Sequence, residues 1–419
     1  FCFAAHGGSG TPRPTREDTF AARREKERTS EPPVPTMPLL LKTESPKTEN
    51  SAPTAQNAHH LYIHIPFCLQ ICPYCSFYKD IAGPGKADPL VEAVVREAER
   101  FGHGIAPRTI FIGGGTPTAL SVSQLERLFA GLREQMDFTR VEEFTIEMNP
   151  ATVTKRKADL LRRAGVNRVS MGVQSWDPDL LKLLGRVHDA EQVRRSFAIL
   201  RRAGFDNLNL DLIYGIPGQT LAQWEESIRQ TAALRPEHIS AYCLTYEEDT
   251  EFFERQARGE FAEDRESDAG FFERGVALLG AAGYGQYEIS NYAQAGRQCR
   301  HNLAYWEGAD YLGLGPSAWS TVGERRWQNV PDTAAYVRAI QAGVRPVRDE
   351  EILPAATREA EKIAFGLRMN AGIDPARLAE RRDLVAGLRA EGLLEDHGPR
   401  VRLTDRGRLL ADEIASELI

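Results

Sequence analysis

The sequence predicts an α/β fold: a partial barrel of six parallel strand–helix units, followed by a small C-terminal group of helices around a hairpin. Three observations predict it. From His60 onward, strand-like runs at 60–67, 108–113, 143–149, 168–175, 207–214 and 238–246 alternate with helix-like stretches near 87–102, 121–135, 154–164, 189–203 and 220–234. Within those strands apolar and polar residues alternate, so one face is apolar and the other is not. After residue 250 the regular alternation stops.

The strands carry most of the information. Parallel strands covered by helices keep their outer faces apolar. The opposite set is polar: Tyr62 and His64 in the first strand, then Thr145, Glu147 and Asn149, then Ser170, Gly172 and Gln174, then Asn209 and Asp211. A closed eight-stranded barrel normally fills its lumen with branched apolar side chains. A polar set predicts a wet lumen or one that holds a polar ligand. An antiparallel sheet with one solvated face would show the same period, but the intervening helices argue against it.

Further along, a helix near 266–282 precedes Tyr284–Ile289, and a glycine- and aromatic-rich region extends to Trp327. From about 350 come three short helical patterns, a hairpin around Gly398-Pro399 and a helix of about a dozen residues, an arrangement like a winged helix. Between 377 and 408, however, eight Arg face six Asp and Glu, too weak a bias for phosphate neutralisation. A packing or lid role is expected there.

Composition excludes several classes. The 419 residues are 42% hydrophobic and 26% charged, and 52 basic against 59 acidic side chains leave a net charge of −7. Nothing here favours general binding to nucleic acid or anionic lipid, and no apolar run is long enough for a membrane-spanning helix. Of six cysteines, Cys68, Cys72 and Cys75 cluster while Cys2, Cys243 and Cys299 stand apart. That is a metal-site pattern in a reducing compartment rather than a disulfide framework, and the cytosol is expected. Residues 1–58, rich in Pro, Ser, Thr, Glu and Arg, are expected to be disordered, with Met37 a possible translation start. Glu17, Asp18, Glu25, Glu27 and Glu31 make the stretch too acidic for an organellar transit peptide.

Cys68-Leu69-Gln70-Ile71-Cys72-Pro73-Tyr74-Cys75 follows the first strand as C-x3-C-x2-C. Three thiolates on one loop leave a cubane with one iron lacking a local ligand, and an open coordination position marks a reactive metal site. Such an iron could hold the amino and carboxylate groups of S-adenosylmethionine (SAM) and pass an electron to its sulfonium. Structural zinc would need a fourth Cys or His at suitable spacing, and His64 lies on the strand before the loop. A four-thiolate electron-transfer cluster would need Cys243 or Cys299. Gly113-Gly114-Gly115-Thr116-Pro117-Thr118, after the second strand, lets backbone approach a ligand closely at the end of the strands where α/β barrels place their sites.

These motifs resemble one group. Tyr62–Cys68 with the cysteine loop, the GGGTPT run, Glu147-Met148-Asn149-Pro150, Gly172-Val173-Gln174-Ser175, Gly185-Arg186-Val187-His188 and Asp211–Gly218 all match the radical SAM group of oxygen-independent coproporphyrinogen III oxidases and HemW-type haem chaperones. The resemblance spans roughly residues 60–419. It implies a partial (βα)6 radical SAM barrel at 59–250, an α/β extension at 251–345 and a winged-helix-like C-terminal domain at 346–419, after a disordered 1–58. Phe77 stands where the oxidases carry a further cysteine, residues 1–58 lack their substrate segment, and His301-Asn302-Leu303-Ala304-Tyr305-Trp306 is the H-N-x-x-Y-W motif of the chaperones.

The resemblance therefore implies a protein that binds haem and delivers it to acceptor proteins; the alternative is oxidative decarboxylation of coproporphyrinogen III. It implies a [4Fe–4S] cluster on Cys68, Cys72 and Cys75, and SAM lined by Tyr62, Gly114, Gly115, Thr116, Glu147, Gln174, Arg186 and Asp211. An electron donor of flavodoxin or ferredoxin type and peripheral membrane contact accompany it. Chemistry suits these places: polar lumen residues can meet ribose hydroxyls and an ammonium, and Arg186 can pair with a carboxylate through its fork. His301 is a candidate haem ligand or a structural histidine, Cys299 a weaker candidate, and Tyr305 and Trp306 a porphyrin wall or core filling.

Overall fold

The computed structural model describes residues 58–262 and 264–419; the expectations for residues 1–57, Met37 and Cys2 included, lie outside the described residues. Six strands build the core of the sheet: β1 (His60–Ile65), β2 (Thr109–Gly114), β3 (Glu143–Met148), β4 (Arg168–Gln174), β5 (Leu208–Tyr214) and β6 (His238–Cys243). They pair in parallel in chain order. The crossovers carry α1 (Ala87–Phe101), α2 (Val122–Gln135), α3 (Lys155–Arg163), α4 (Pro178–Leu183), α5 (Ala190–Arg202) and α6 (Leu221–Ala233). Local chemistry fixes where they start. Ser121 with Gln124 and Thr220 with Gln223 form reciprocal capping boxes, each satisfying two backbone N–H groups that a helix start leaves open.

Beyond β6 the chain forms α7 (Glu251–Ala257), α8 (Arg265–Ala281), β7 (Gly285–Glu288), β8 (Asn291–Ala293), α9 (Arg300–Trp306), β9 (Tyr311–Leu314), β10 (Trp319–Val322), β11 (Arg325–Asn329), α10 (Thr333–Gln341) and β12 (Val347–Ile352). These strands enlarge the sheet to 12, in the order β12-β11-β10-β9-β1-β2-β3-β4-β5-β6-β8-β7. β9 joins β1 in parallel, while the outer additions are antiparallel. The aromatic-rich region up to Trp327 is thus strands on either side of α9, which its short, glycine-broken runs did not announce.

The outer faces are apolar as predicted: Leu61, Ile63, Ile112, Phe144, Ile146, Val169, Met171, Leu210, Leu212 and Ile239 are buried in one large core. The inner faces stack in layers set by the register. His60, Thr109 and Glu143 lie at the strands' N-terminal end, and Tyr62, Phe111, Thr145 and Arg168 come next. Asn149 is a correction: it follows β3, and its side chain accepts a hydrogen bond from Ala151 N (2.9 Å) to start the turn at Pro150–Thr152.

The C-terminal segment comprises α11 (Ala355–Arg368), a 3₁₀ stretch Pro375–Arg381, α12 (Arg382–Ala390), β13 (Leu394–His397), β14 (Arg400–Leu403), α13 (Asp405–Arg408) and α14 (Ala411–Leu418). It has its own apolar core of Ile363, Leu367, Leu388, Val401, Leu403, Ile414 and Leu418. The hairpin turns at Gly398-Pro399 as expected. The single last helix that was expected is two. The break at Leu409–Leu410 lets Leu409 pack on the main core while Ala411, Ile414 and Leu418 pack on the small one.

Candidate functional site at the strand C-terminal ends

The cysteine loop leaves the sheet at Pro66. Buried Phe67 anchors it, Phe67–Cys68 pairs in parallel with Asp80–Ile81, and Cys75 N donates to Cys72 O (3.2 Å). Its far side rests on α7, where Phe252 N donates to Pro73 O (3.0 Å) and the Tyr74 ring meets Phe252. All three thiols are half-buried. Burial pushes Cys68 up to about 11, with the neighbouring Cys75 acting in the same direction, and burial raises Cys75 as well. Cys68 and Cys75 are thereby kept as protonated thiols, so loading a metal must displace their protons. Among the described residues no three His, Cys, Asp or Glu converge on a single ion. A cubane would take each sulfur to a different corner.

The triglycine run fits against this loop because nothing larger than glycine would. A Cβ on Gly114, at φ +108°, would lie 2.5 Å from the His64 ring; one on Gly115 would lie 2.4 Å from Pro66 O. Gly115 N donates to Ile65 O (2.9 Å) and Thr116 N to Phe67 O (2.8 Å), while the Thr116 hydroxyl points at Cys68 Sγ (3.9 Å). The Gly114 amide donates to Glu147 Oε2 (3.2 Å). Burial pushes Glu147 up to about 7, and the charge of Asp211 adds to this.

Arg186 closes the other side, donating to Cys72 Sγ (3.5 Å) and Gly172 O (2.8 Å). Gly185, at φ +64°, lies against Pro73, and Gln70 Nε2 donates to its carbonyl (3.1 Å). Gln174 sits at the β4 end with φ +68°, an unusual backbone for a side-chain-bearing residue, beside a register shift against β5. Such strain concentrates at ligand sites. Gln174 Oε1 and Arg186 Nε are buried without a hydrogen-bond partner. Asp211 is buried and accepts from Asn209 Nδ2 (2.7 Å) and Ser170 Oγ (3.1 Å). The Tyr62 hydroxyl donates to His64 Nδ1 (3.0 Å), because His64 Nε2–H is committed to Tyr78 O (2.9 Å).

Thus the structure brings Cys68, Cys72, Cys75, Gly114, Gly115, Thr116, Glu147, Gln174, Arg186 and Asp211 to the strand C-terminal ends, with Tyr62 one layer below His64. His301 lies elsewhere. Its helix, α9, sits at the opposite end, where Glu143 accepts from the amides of Arg300 (2.9 Å) and His301 (3.0 Å) and from Cys299 Sγ (3.3 Å). The His301 ring stacks on Phe111, and its Nδ1 bonds Thr109 Oγ1 (2.7 Å), which also holds His60 Nδ1 (2.8 Å). Thr109 and Gly114 are the two ends of β2, roughly 16 Å apart at a strand's rise. His301 is 1% exposed and its Nε2 has no partner. The lower lumen is therefore packed with side chains rather than wet, a correction with a simple cause: α9 fills it.

Sequence reasoning missed His238, whose Nδ1 meets Asn209 Oδ1 (2.7 Å) and whose Nε2 meets the Tyr287 hydroxyl (2.9 Å). Its inward position at the start of β6 was the available signal. In the C-terminal segment, Arg377, Arg389, Arg402 and Arg408 pair with carboxylates, and Arg400 and Arg406 with backbone carbonyls. Six of the eight arginines are thereby engaged, as a packing role requires.

A thiol trio on the loop after the first strand, facing a glycine shelf and an inward carboxylate row, defines a radical SAM protein. Residues 62–231 match the radical SAM superfamily and residues 353–410 the HemN C-terminal domain. The chain is similar to the heme chaperone HemW of Bacillus subtilis (strain 168), 37% identical over 367 residues that cover 84% of this chain and 97% of that one. Against HemW of Lactococcus lactis subsp. lactis (strain IL1403) the figures are 33% over 376 residues, 87% and 98%. The solved coproporphyrinogen III oxidase (HemN) from Escherichia coli superposes with a TM-score of 0.75 at 26% identity, covering 86% of this chain and 90% of that one. The chain belongs to the HemW family. No helix among the described residues is long and apolar enough to cross a membrane.

Proposed function

We propose that this protein is a haem chaperone: it binds haem, passes it to acceptor proteins, and carries a [4Fe–4S] cluster on Cys68, Cys72 and Cys75 with SAM beside it. The observation that carries this reading is Phe77 two places after a three-thiol loop, within a chain similar to HemW along most of its length. The residues present fit the two cofactors. Three separate thiols, a shelf that a Cβ would fill at Gly114, and the unpartnered Gln174 Oε1 and Arg186 Nε are what a bound cluster and a zwitterionic ligand need.

When bound, the cluster and SAM supply one-electron reductive chemistry. This chain's own residues do the rest. Arg186, held by Gly172 O, places its charge on Cys72 Sγ and offsets a thiolate there. Gly114 and Gly115 let backbone come close, Glu147 and Asp211 offer carboxylates to an ammonium or ribose, and Thr116 steadies Cys68. Tyr62, locked to His64, walls the lower side. The cytosol, a flavodoxin- or ferredoxin-type electron donor and peripheral membrane contact complete the reading.

The test is anaerobic reconstitution of the full chain followed by haem titration with and without SAM. A saturable Soret change is expected, and coproporphyrinogen III with SAM should give no protoporphyrinogen; product would favour the oxidase instead. His301 can ligate iron only if α9 unseats, since a porphyrin cannot reach Nε2 otherwise. An identical Soret band in His301→Ala would leave that residue a purely structural role.

A further inference from the structure

One hydrogen-bond chain runs through the packed lumen from the H-N-x-x-Y-W helix to the carboxylate at the mouth, and its direction is forced. A carboxylate only accepts, so Asn209 must turn its Nδ2 toward Asp211 Oδ1 (2.7 Å). Its Oδ1 then faces His238 Nδ1 (2.7 Å), which must carry the proton. Burial, with Arg168 nearby, holds the His238 ring neutral, so its Nε2 is a lone pair and the Tyr287 hydroxyl donates to it (2.9 Å). Tyr287 in turn accepts from Asn302 Nδ2 (3.3 Å) on α9. Every donor points the same way, from Asn302 to Asp211, and such chains polarise each other. Ser170 Oγ adds the last donor to the carboxylate (3.1 Å).

We propose that Asn302, Tyr287, His238 and Asn209 are positioning residues for Asp211, so that the seating of the H-N-x-x-Y-W helix sets the affinity of the mouth for SAM. This rests on the reading above that Asp211 meets SAM. It supplies a physical link between the two ends of the barrel: what unseats α9 loosens SAM, and by reciprocity SAM favours the seated helix.

The experiment measures SAM binding by calorimetry on the anaerobically cluster-reconstituted full chain. Asp211→Asn tests the underlying reading and should weaken binding. Tyr287→Phe removes one buried hydroxyl and should weaken binding roughly fivefold, the lower end of ordinary coupling between sites. It should do nothing further in the Asp211→Asn background, whereas a merely structural lesion would weaken both backgrounds alike. If Tyr287→Phe does not fold, Asn302→Ala, at a half-buried position, replaces it with the same expectation. Wild-type affinity in both relay variants beside a weakened Asp211→Asn overturns the relay alone. Unchanged affinity in Asp211→Asn overturns the SAM reading and the relay with it.

Discussion

The two ends of the same barrel solve opposite problems with the same alternating pattern. At the strand C-terminal ends, glycines hold space open, Gln174 is strained, and polar atoms such as Gln174 Oε1 lack partners. At the N-terminal ends, α9 closes the lumen, and Glu143 satisfies Cys299 and two helix amides at once. Each end also leans on a buried carboxylate that ties separate segments together by accepting backbone N–H. Glu97 does for the mouth what Glu143 does for the plug, accepting from Gly315 N (2.8 Å), Asn329 Nδ2 (2.7 Å) and the Tyr336 hydroxyl (2.6 Å). Gly315 in turn lies against the His64 backbone. Polarity inside a barrel therefore does not by itself mark a ligand site; the mouth differs from the plug in its strained Gln174 backbone and in glycines that keep room for a ligand.

The sharpest way to break this contrast is at the thiols. Replacing any of Cys68, Cys72 or Cys75 by Ala should abolish the visible absorbance of the reconstituted cluster, with chemical unfolding little changed. A cluster retained in all three variants would refute the ligand assignment. The plug should behave in reverse. Glu143→Ala strips three donors of their acceptor, and each buried donor left unsatisfied costs about 1–3 kcal/mol. Denaturant unfolding should show that loss while the cysteines still assemble a cluster.

Glu97 gives a subtler reading through pH. Burial pushes its carboxyl from 4.5 up to about 7, against the three hydrogen bonds. The folded protein thus holds a proton that the unfolded chain has released, and the stability this gives is present below about 4.5 and lost as pH rises through about 7. Glu97→Gln should flatten that part of the stability profile, by at most about 3 kcal/mol from the size of the shift. An unaltered pH profile in the variant would mean Glu97 is ionised throughout.

Much of this was legible beforehand. The six strands could be read because period-two alternation and helix-length spacers are local signals, and the thiol loop because its ligands lie within eight residues. What was illegible is nonlocal. Nothing near Glu143 says that a helix from position 300 will bring its amides there, and nothing in His301 tells a packed ring from a ligand. The strands β9 and β10 were missed because each is only four residues long, and β9 meets its parallel partner β1 across some 250 residues. Asn149 was misplaced because strand alternation and a capping side chain look alike until the chain turns at Pro150.

The smallest expected effect separates packing from binding most cleanly. Thr109 Oγ1 bonds both His60 Nδ1 and His301 Nδ1, and with one proton it must donate to one ring and accept from the other. Thr109→Val keeps the shape and removes both bonds. Leaving the buried His301 nitrogen and the half-buried His60 nitrogen unmatched costs about 1–3 kcal/mol. That loss should appear in denaturant unfolding, while SAM affinity stays at the wild-type value, because Glu143 still seats α9 through the Arg300 and His301 amides and the Asn302–Tyr287 bond is left intact. A fall in SAM affinity here would mean that any loosening of the plug reaches the mouth, and the path through His238 would lose its special standing.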